Sequence, residues 1–256
     1  MIYVCIPAHD EAATIGVLLW KIRKVMGEFG RDYRIVVHDD ASTDDTAAVL
    51  ERYRRALPLT VLRSEERIGY GASLERLLRH VEEVAPYPKR DAAVVLQGDF
   101  TDNPEDLVGL VKALEGGADI VAGCLDPGVG LPDNVRWTRR LGALMLRRLV
   151  RAAPVTDPWN GLRAYRVIVL RKAIRSLREG ERLLTLDGWA ANLELLVRLA
   201  PHARRIAEAP AFPRYELRAR PTRFRAGQTL RSLWRLRGVT WPRPETTQQG
   251  PRSEAA

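Results

Sequence analysis

The sequence predicts an α/β fold in which a mostly parallel central sheet carries helices on both faces. Three observations lead there. Short apolar runs recur along the first half of the 256-residue chain, segments of helical period separate them, and polar residues collect just after each run. With 46% hydrophobic and 29% charged residues the chain can bury a sizeable core, which excludes wholesale disorder.

Apolar runs at residues 2–6, 34–38, 59–62, 92–96 and 118–123 read as strands. Between the first two, Ile15, Leu18, Leu19, Ile22, Val25, Met26 and Phe29 follow the i, i+3, i+4, i+7 spacing of an amphipathic helix. After the fourth run, Asn103 supplies a helix cap, Pro104 suits the first helical position, and Glu105 and Asp106 place negative charge in the first turn. The helix then buries Leu107, Leu110, Val111 and Leu114. Beyond Leu125 the alternation breaks. A Gly/Pro loop over 126–134 precedes a basic helix near 135–151, a short strand near 162–165, and helices near 167–177 and 187–200.

The formal charge is +9, and residues 201–256 hold +8 of it, as twelve Arg and four Glu with no Lys or Asp. A cluster of this kind suits phosphate-bearing partners: nucleic acid, anionic lipid or a phosphorylated substrate. Within it, Leu230, Leu233 and Trp234, with Arg231, Arg235 and Arg237, form a basic amphipathic segment over 226–240. Such a segment either lies in a lipid interface or packs on its own domain. Residues 241–256 carry too little apolar surface to order and are expected to form a disordered tail. No run reaches the roughly 18 apolar residues that span a bilayer, and no signal-peptide pattern follows Met1, so a cytoplasmic location is expected. Cys5 and Cys124 are too few for a disulfide framework, no Cys/His spacing suits zinc, and both are expected to be buried thiols.

In an open α/β sheet, ligands bind outside the carboxyl ends of the strands. There this sequence offers residues 7–11 (Pro-Ala-His-Asp-Glu), 39–44 (Asp-Asp-Ala-Ser-Thr-Asp), 63–71 and 97–102 (Gln-Gly-Asp-Phe-Thr-Asp). Carboxylates gathered at one edge repel unless a cation or hydrogen-bonding hydroxyls and amides compensate. A ribose, a base imide and a phosphate-bound metal would do so. Ser42, Thr43 and Asp45 also read as turn and cap residues. His9 and His38 read as strand-end histidines outside the chemistry, and Gly69-x-Gly71 reads equally as a phosphate loop or a helix-entry turn.

Residues 6–11, 37–46 and 67–72, in this order and spacing, resemble glycosyltransferase family 2. Residues 157–166 (Asp-Pro-Trp-Asn-Gly-Leu-Arg-Ala-Tyr-Arg) are similar to a stretch of its polyprenyl-phosphate, or dolichol-phosphate, mannosyl- and glucosyltransferases, with Asn160 and Leu162 as departures. The resemblance implies a nucleotide-diphospho-sugar transferase (GT-A type) fold. It implies a single catalytic domain over 1–225, with 1–125 for the nucleotide sugar and 126–225 for the acceptor. Pro7, Ala8 and Glu11 would contact the nucleoside and Asp39 the base or ribose, with Asp40, Gln97 and Asp157 also on the substrates. Asp99 and Thr101 would serve a magnesium or manganese ion, although Gln97 stands where the family usually has the first Asp of Asp-x-Asp. Arg140 and Arg163, with Arg220 and Arg223, would bind the acceptor phosphate.

The implied reaction is inverting transfer of a hexose from a nucleotide-diphosphate sugar to a polyprenyl phosphate at the cytoplasmic membrane face, by a peripherally bound enzyme. A phosphate acceptor is largely dianionic at neutral pH and needs arginines for alignment, whereas a sugar hydroxyl needs a carboxylate base. A saccharide or small-molecule acceptor would draw that base from Asp126, Asp133 or Asp157. A third reading, a degenerate and non-catalytic basic protein for nucleic acid or membrane, leans on Gln97, and the intact acidic edge argues against it.

Overall fold

The computed structural model describes residues 1–125, 131, 133–214, 226–237, 239 and 241. Within them one sheet contains β1 (Ile2–Ala8), β2 (Tyr33–Asp40), β3 (Leu59–Ser64), β4 (Ala92–Val95), β5 (Ile120–Leu125), β6 (Arg163–Arg166) and β7 (Ile206–Ala211). Their spatial order is β3-β2-β1-β4-β6-β5-β7. β1 pairs in parallel with β2 and β4, β2 with β3, and β5 with β7; β6 alone runs antiparallel, between β4 and β5. The sheet is the mostly parallel one the alternating pattern predicts.

The helices are α1 (Ile15–Phe29), α2 (Thr46–Arg54), α3 (Tyr70–Val84), α4 (Asp106–Glu115), α5 (Asp133–Met145), α6 (Arg147–Ala152), α7 (Val167–Arg175), α8 (Trp189–Leu199) and α9 (Ala226–Trp234). Strand side chains alternate between two cores. Val4, Ile6, Ile35, Val37 and Val94 meet α1 and α4 through Leu18, Ile22, Leu107 and Leu110. Tyr3, Cys5, Val36, Ala93 and Val95 meet α3, α7 and α8 through Leu74, Leu78, Leu170 and Leu195. Each fully buried Leu or Ile contributes about 1.5–3 kcal/mol relative to exposure, so the six inward residues of α1 alone fix it firmly on the sheet.

Several expectations shift. α4 starts at Asp106, because Pro104 and Glu105 form a turn held by the Glu105 N–H donating to Asn103 Oδ1 at 3.3 Å. The basic helix breaks at Leu146 into α5 and α6. β7 was not expected: its Ala-rich sequence with Pro210 has little strand character, and it forms at the sheet edge, where a missing N–H is tolerated. Leu233 and Leu236 of the amphipathic segment are buried against Leu146, Trp159, Leu186 and Leu193, so these two face the protein. Trp241, at the start of the expected tail, packs on the same core, and residues 242–256 lie outside the described residues. Cys5 is buried, which pushes its thiol up to about 12, whereas Cys124 is only half-buried, its Sγ 3.0 Å from Thr156 Oγ1.

Candidate functional site

The carboxyl edge of the parallel strands is where the backbone departs from ordinary geometry. Asp10 follows β1, Ala41 follows β2 and Phe100 follows β4, with φ of 49°, 53° and 61°. A non-glycine residue in this region costs about 1–2 kcal/mol, and such residues cluster where a fold holds a functional loop in place. The loops are tied to one another. The Asp10 N–H donates to Ser42 Oγ (2.8 Å), Glu11 N–H to Thr46 Oγ1 (2.7 Å) and Thr43 N–H to Asp10 Oδ1 (2.7 Å). Thr14 Oγ1 donates to Glu11 Oε2 and to the Gly98 carbonyl, both at 3.0 Å, which joins the β1 and β4 loops.

Successive strand residues point to opposite faces, so Asp39 and Asp40 part company at the end of β2. Asp39 is buried. Its Oδ1 accepts the Ser42 N–H at 3.0 Å, and its Oδ2 lies 3.6 Å from Arg63 Nε without a hydrogen-bond donor. Asp40 is fully engaged, its two oxygens accepting the N–H groups of Ile68 (2.7 Å) and Gly69 (2.9 Å). In this structure it shapes the loop entering α3, a role apart from the expected substrate contact. The Ala8 side chain sits in the α1-side core, so only its backbone can face a ligand, while Pro7 and Glu11 stand half-buried at the edge.

On the β4 turn the Gln97 N–H donates to Asp102 Oδ2 (2.8 Å) and the Thr101 N–H to Asp99 Oδ1 (3.0 Å). Gly98 is close-packed, a Cβ there meeting the Pro7 carbonyl at 3.0 Å and Glu11 Cγ at 3.5 Å. Thr101, the other expected metal ligand, is buried, and its carbonyl accepts the Arg214 N–H. Asp99 and Gln97 remain half-buried on the turn. Among the described residues no three His, Cys, Asp or Glu side chains gather for a metal ion. One carboxylate here suits only a cation that keeps waters and draws other ligands from bound phosphates, as magnesium does.

The second half joins this edge through buried polar groups. Gly71 lies so near the loop before α8 that a Cβ would come within 2.0 Å of the Leu186 carbonyl, and its N–H donates to Asp187 Oδ1 at 2.9 Å. Tyr70 donates to Asn192 Oδ1 (2.8 Å), and the Asn192 amide donates to the Trp159 carbonyl (3.2 Å). Burial drives the Tyr70 hydroxyl well above its ordinary value, so it remains a donor. Asp157, expected on the substrates, is engaged within the protein: Oδ2 accepts from Arg139 at 2.8 Å and Oδ1 from the Trp159 N–H at 3.2 Å. The Arg139 guanidinium also lies 5.5 Å from the Trp189 ring centre. Arg163, expected on the acceptor phosphate, is 0% exposed and donates to the carbonyls of Asn192 and Pro158, each at 2.6 Å, so in this structure it buttresses the Asp157 loop from behind. Arg140 is exposed on α5. Arg220, Arg223 and Asp126 lie outside the described residues.

Tyr70, Asn192 and Asp187 were not foreseen as parts of this linkage, and Arg139 stood as one arginine among many. No local pattern marks them, because each partner comes from a distant segment. The one usable signal was the pair of glycines around Tyr70, which implies close backbone approach.

The protein-family model described as glycosyl transferase family 2 matches residues 3–174. A dolichol-phosphate mannosyltransferase of Pyrococcus furiosus is 27% identical over 91% of this chain and 62% of its own length. An undecaprenyl-phosphate 4-deoxy-4-formamido-L-arabinose transferase of Edwardsiella ictaluri is 24% identical over 66% of the chain and 50% of its own length. The chain thus spans about half to three-fifths of these two relatives. An uncharacterised glycosyltransferase of Mycobacterium bovis is 30% identical over 72% of the chain and 75% of its own length. Among solved structures, glucosyl-3-phosphoglycerate synthase from Mycobacterium tuberculosis with uridine diphosphate superposes with a TM-score of 0.61 at 21% identity. It covers 93% of this chain and 80% of that one, and so has the same GT-A type fold. The family model over two thirds of the sequence, the shared fold and the acidic carboxyl edge agree, and the chain belongs to glycosyl transferase family 2.

Proposed function

We propose that the protein transfers a hexose from a nucleotide-diphosphate sugar to a polyprenyl phosphate. The observation that carries this reading is the state of the acceptor-side carboxylates. A hydroxyl acceptor needs a base, and of the three candidates the two described ones are engaged: Asp157 is paired with Arg139, and Asp133 is held by Arg136 on the exposed side of α5, while Asp126 lies outside the described residues. A phosphate monoester brings its own negative charge and needs cationic alignment, which would fall to Arg140, exposed on α5, with Arg220 and Arg223 as the further candidates. The names of the Pyrococcus and Edwardsiella relatives point to the same acceptor class.

On the donor side, the buried Asp39 Oδ2 lacks a donor, which a base imide N–H would supply. Pro7, Glu11 and Gln97 border the same edge. Asp99 would hold a magnesium or manganese ion, which when bound supplies positive charge to the departing diphosphate. The arginines hold the acceptor oxygen in line with the anomeric carbon, so alignment and charge stabilisation account for the rate.

The test is product analysis with labelled nucleotide sugars, offering polyprenyl phosphate or free saccharide. Glycosylated lipid phosphate is the expected product, and Asp99→Ala should reduce it by about 100-fold or more at unchanged thermal midpoint. A glycosylated saccharide with no lipid product would overturn the acceptor assignment.

A further inference from the structure

Beside the site, α5 carries an apolar stripe on its outer face. Trp137, Leu141 and Leu144 recur at i, i+4 and i+7 and are 67%, 46% and 70% exposed. The inner face is committed to the protein: Val135 and Thr138 are buried, and a Cβ on Gly142 would meet Leu233 Cδ1 at 3.0 Å. Trp234 of α9, which packs along α5, is 59% exposed with the Arg237 guanidinium 4.1 Å from its ring centre.

The charge around this stripe has one sign. Residues 133–152 contain six Arg and one acid, Asp133, which Arg136 neutralises. Arg140 falls on the stripe itself, and Arg147, Arg148 and Arg151 are exposed where α6 continues beyond it. The other exposed apolar pair on a helix among the described residues, Val17 and Trp20 of α1, is a smaller patch of mixed charge: exposed Arg23 and Lys24 stand beside exposed Glu28, and Lys21 is paired with Glu105. Aromatic and leucine side chains ringed by arginine match the boundary between acyl chains and anionic head groups, where the rings bury their bodies and the guanidinium groups meet phosphate.

We infer that the outer face of α5, with Trp234 beside it, docks on an anionic lipid bilayer. The inference draws its purpose from the lipid-phosphate reading: Arg139 on the same helix reaches Asp157, so docking would bring the acceptor side of the site to head-group level. Of the amphipathic segment that the sequence offers either to lipid or to the protein, Leu233 is turned inward and Trp234 outward.

The test is flotation of the full chain with phosphatidylcholine vesicles, with and without phosphatidylglycerol. Wild type is expected to float with the anionic vesicles only. The combined Trp137→Ser, Leu141→Ser and Leu144→Ser variant should partition roughly tenfold or more weakly, at an unchanged thermal midpoint. Val17→Ser with Trp20→Ser should float like wild type. Undiminished flotation of the triple variant, no flotation of wild type, or equal loss in the α1 variant would each overturn the docking surface. In parallel, transfer is measured to a long-chain polyprenyl phosphate in the vesicles and to a short water-soluble prenyl phosphate. The triple variant should lose the first and keep the second. If wild type floats as expected and the triple variant does not, but wild type transfers to neither acceptor, the acceptor assignment falls and the docking surface stands.

Discussion

Replacing Arg163 with methionine separates a buttress from a substrate ligand. The guanidinium is fully buried and donates to two backbone carbonyls, of Asn192 and Pro158. Leaving two buried carbonyls without donors costs about 1–3 kcal/mol each. Methionine fills much of the same volume and removes a buried charge whose Nε has no partner, which offsets part of the loss. A net destabilisation of about 2–4 kcal/mol corresponds to a fall of roughly 5–15 °C in thermal midpoint for a domain of this size. Scanning fluorimetry reads that shift, and steady-state kinetics below the transition read the site. The expected pattern is a large drop in midpoint, a lowered transfer rate because the Asp157 loop has lost its support, and unchanged nucleoside diphosphate binding at the far side of the edge. A midpoint within about 1 °C of wild type, together with a selective rise in acceptor KM, would refute the buttress and return Arg163 to the phosphate.

Two further outcomes follow from the linkage between the halves. Gly71→Ala drives a methyl into the Leu186 carbonyl and should cost about 2 kcal/mol or more, read as a lowered midpoint. A variant as stable as wild type would mean that the loop before α8 yields freely. Glu75 accepts from the N–H groups of Leu183 (2.8 Å) and Leu184 (3.1 Å) and from Arg79 (2.8 Å). Burial works against its charge, but these donors outweigh it and hold the carboxyl below its ordinary value of 4.5. The stabilisation is therefore present above about pH 4.5 and is lost as pH falls through the lower folded value. Glu75→Gln should melt below wild type near neutral pH, with the gap closing in acid; a gap independent of pH would show that the charge contributes nothing.

The elements of the first half were legible because both of their determinants are local. Apolar runs such as residues 35–37 and 92–95 must be buried on both faces, and the seven-residue stripe on α1 fits one helix face only. The positions of polar residues at strand ends were legible as well, since topology puts them at one edge. Their orientation was not. Asp39 and Asp40 are adjacent and identical in type, yet the pleat sends one under the loop after β2 and the other to the amides of Ile68 and Gly69. Arg163 is a phosphate ligand by family resemblance, but at the start of β6 its side chain lies against the Asn192 carbonyl. β7 was illegible for a different reason: the strand is set by its partner β5, with little apolar pattern of its own.

The reversed strand also bears on how the chain reaches this state. β4 has β1 on one side and β6 on the other, and β6 is made only after α5 and α6 have been synthesised. Until residues 163–166 insert, the Ala-Ala-Val-Val edge of β4 is a flat apolar row of unpaired amides open to other chains. Such long-range closure is slow. A truncated chain ending at Leu125 would therefore be an aggregating fragment lacking its central pairing, and the smallest piece worth expressing extends past β6.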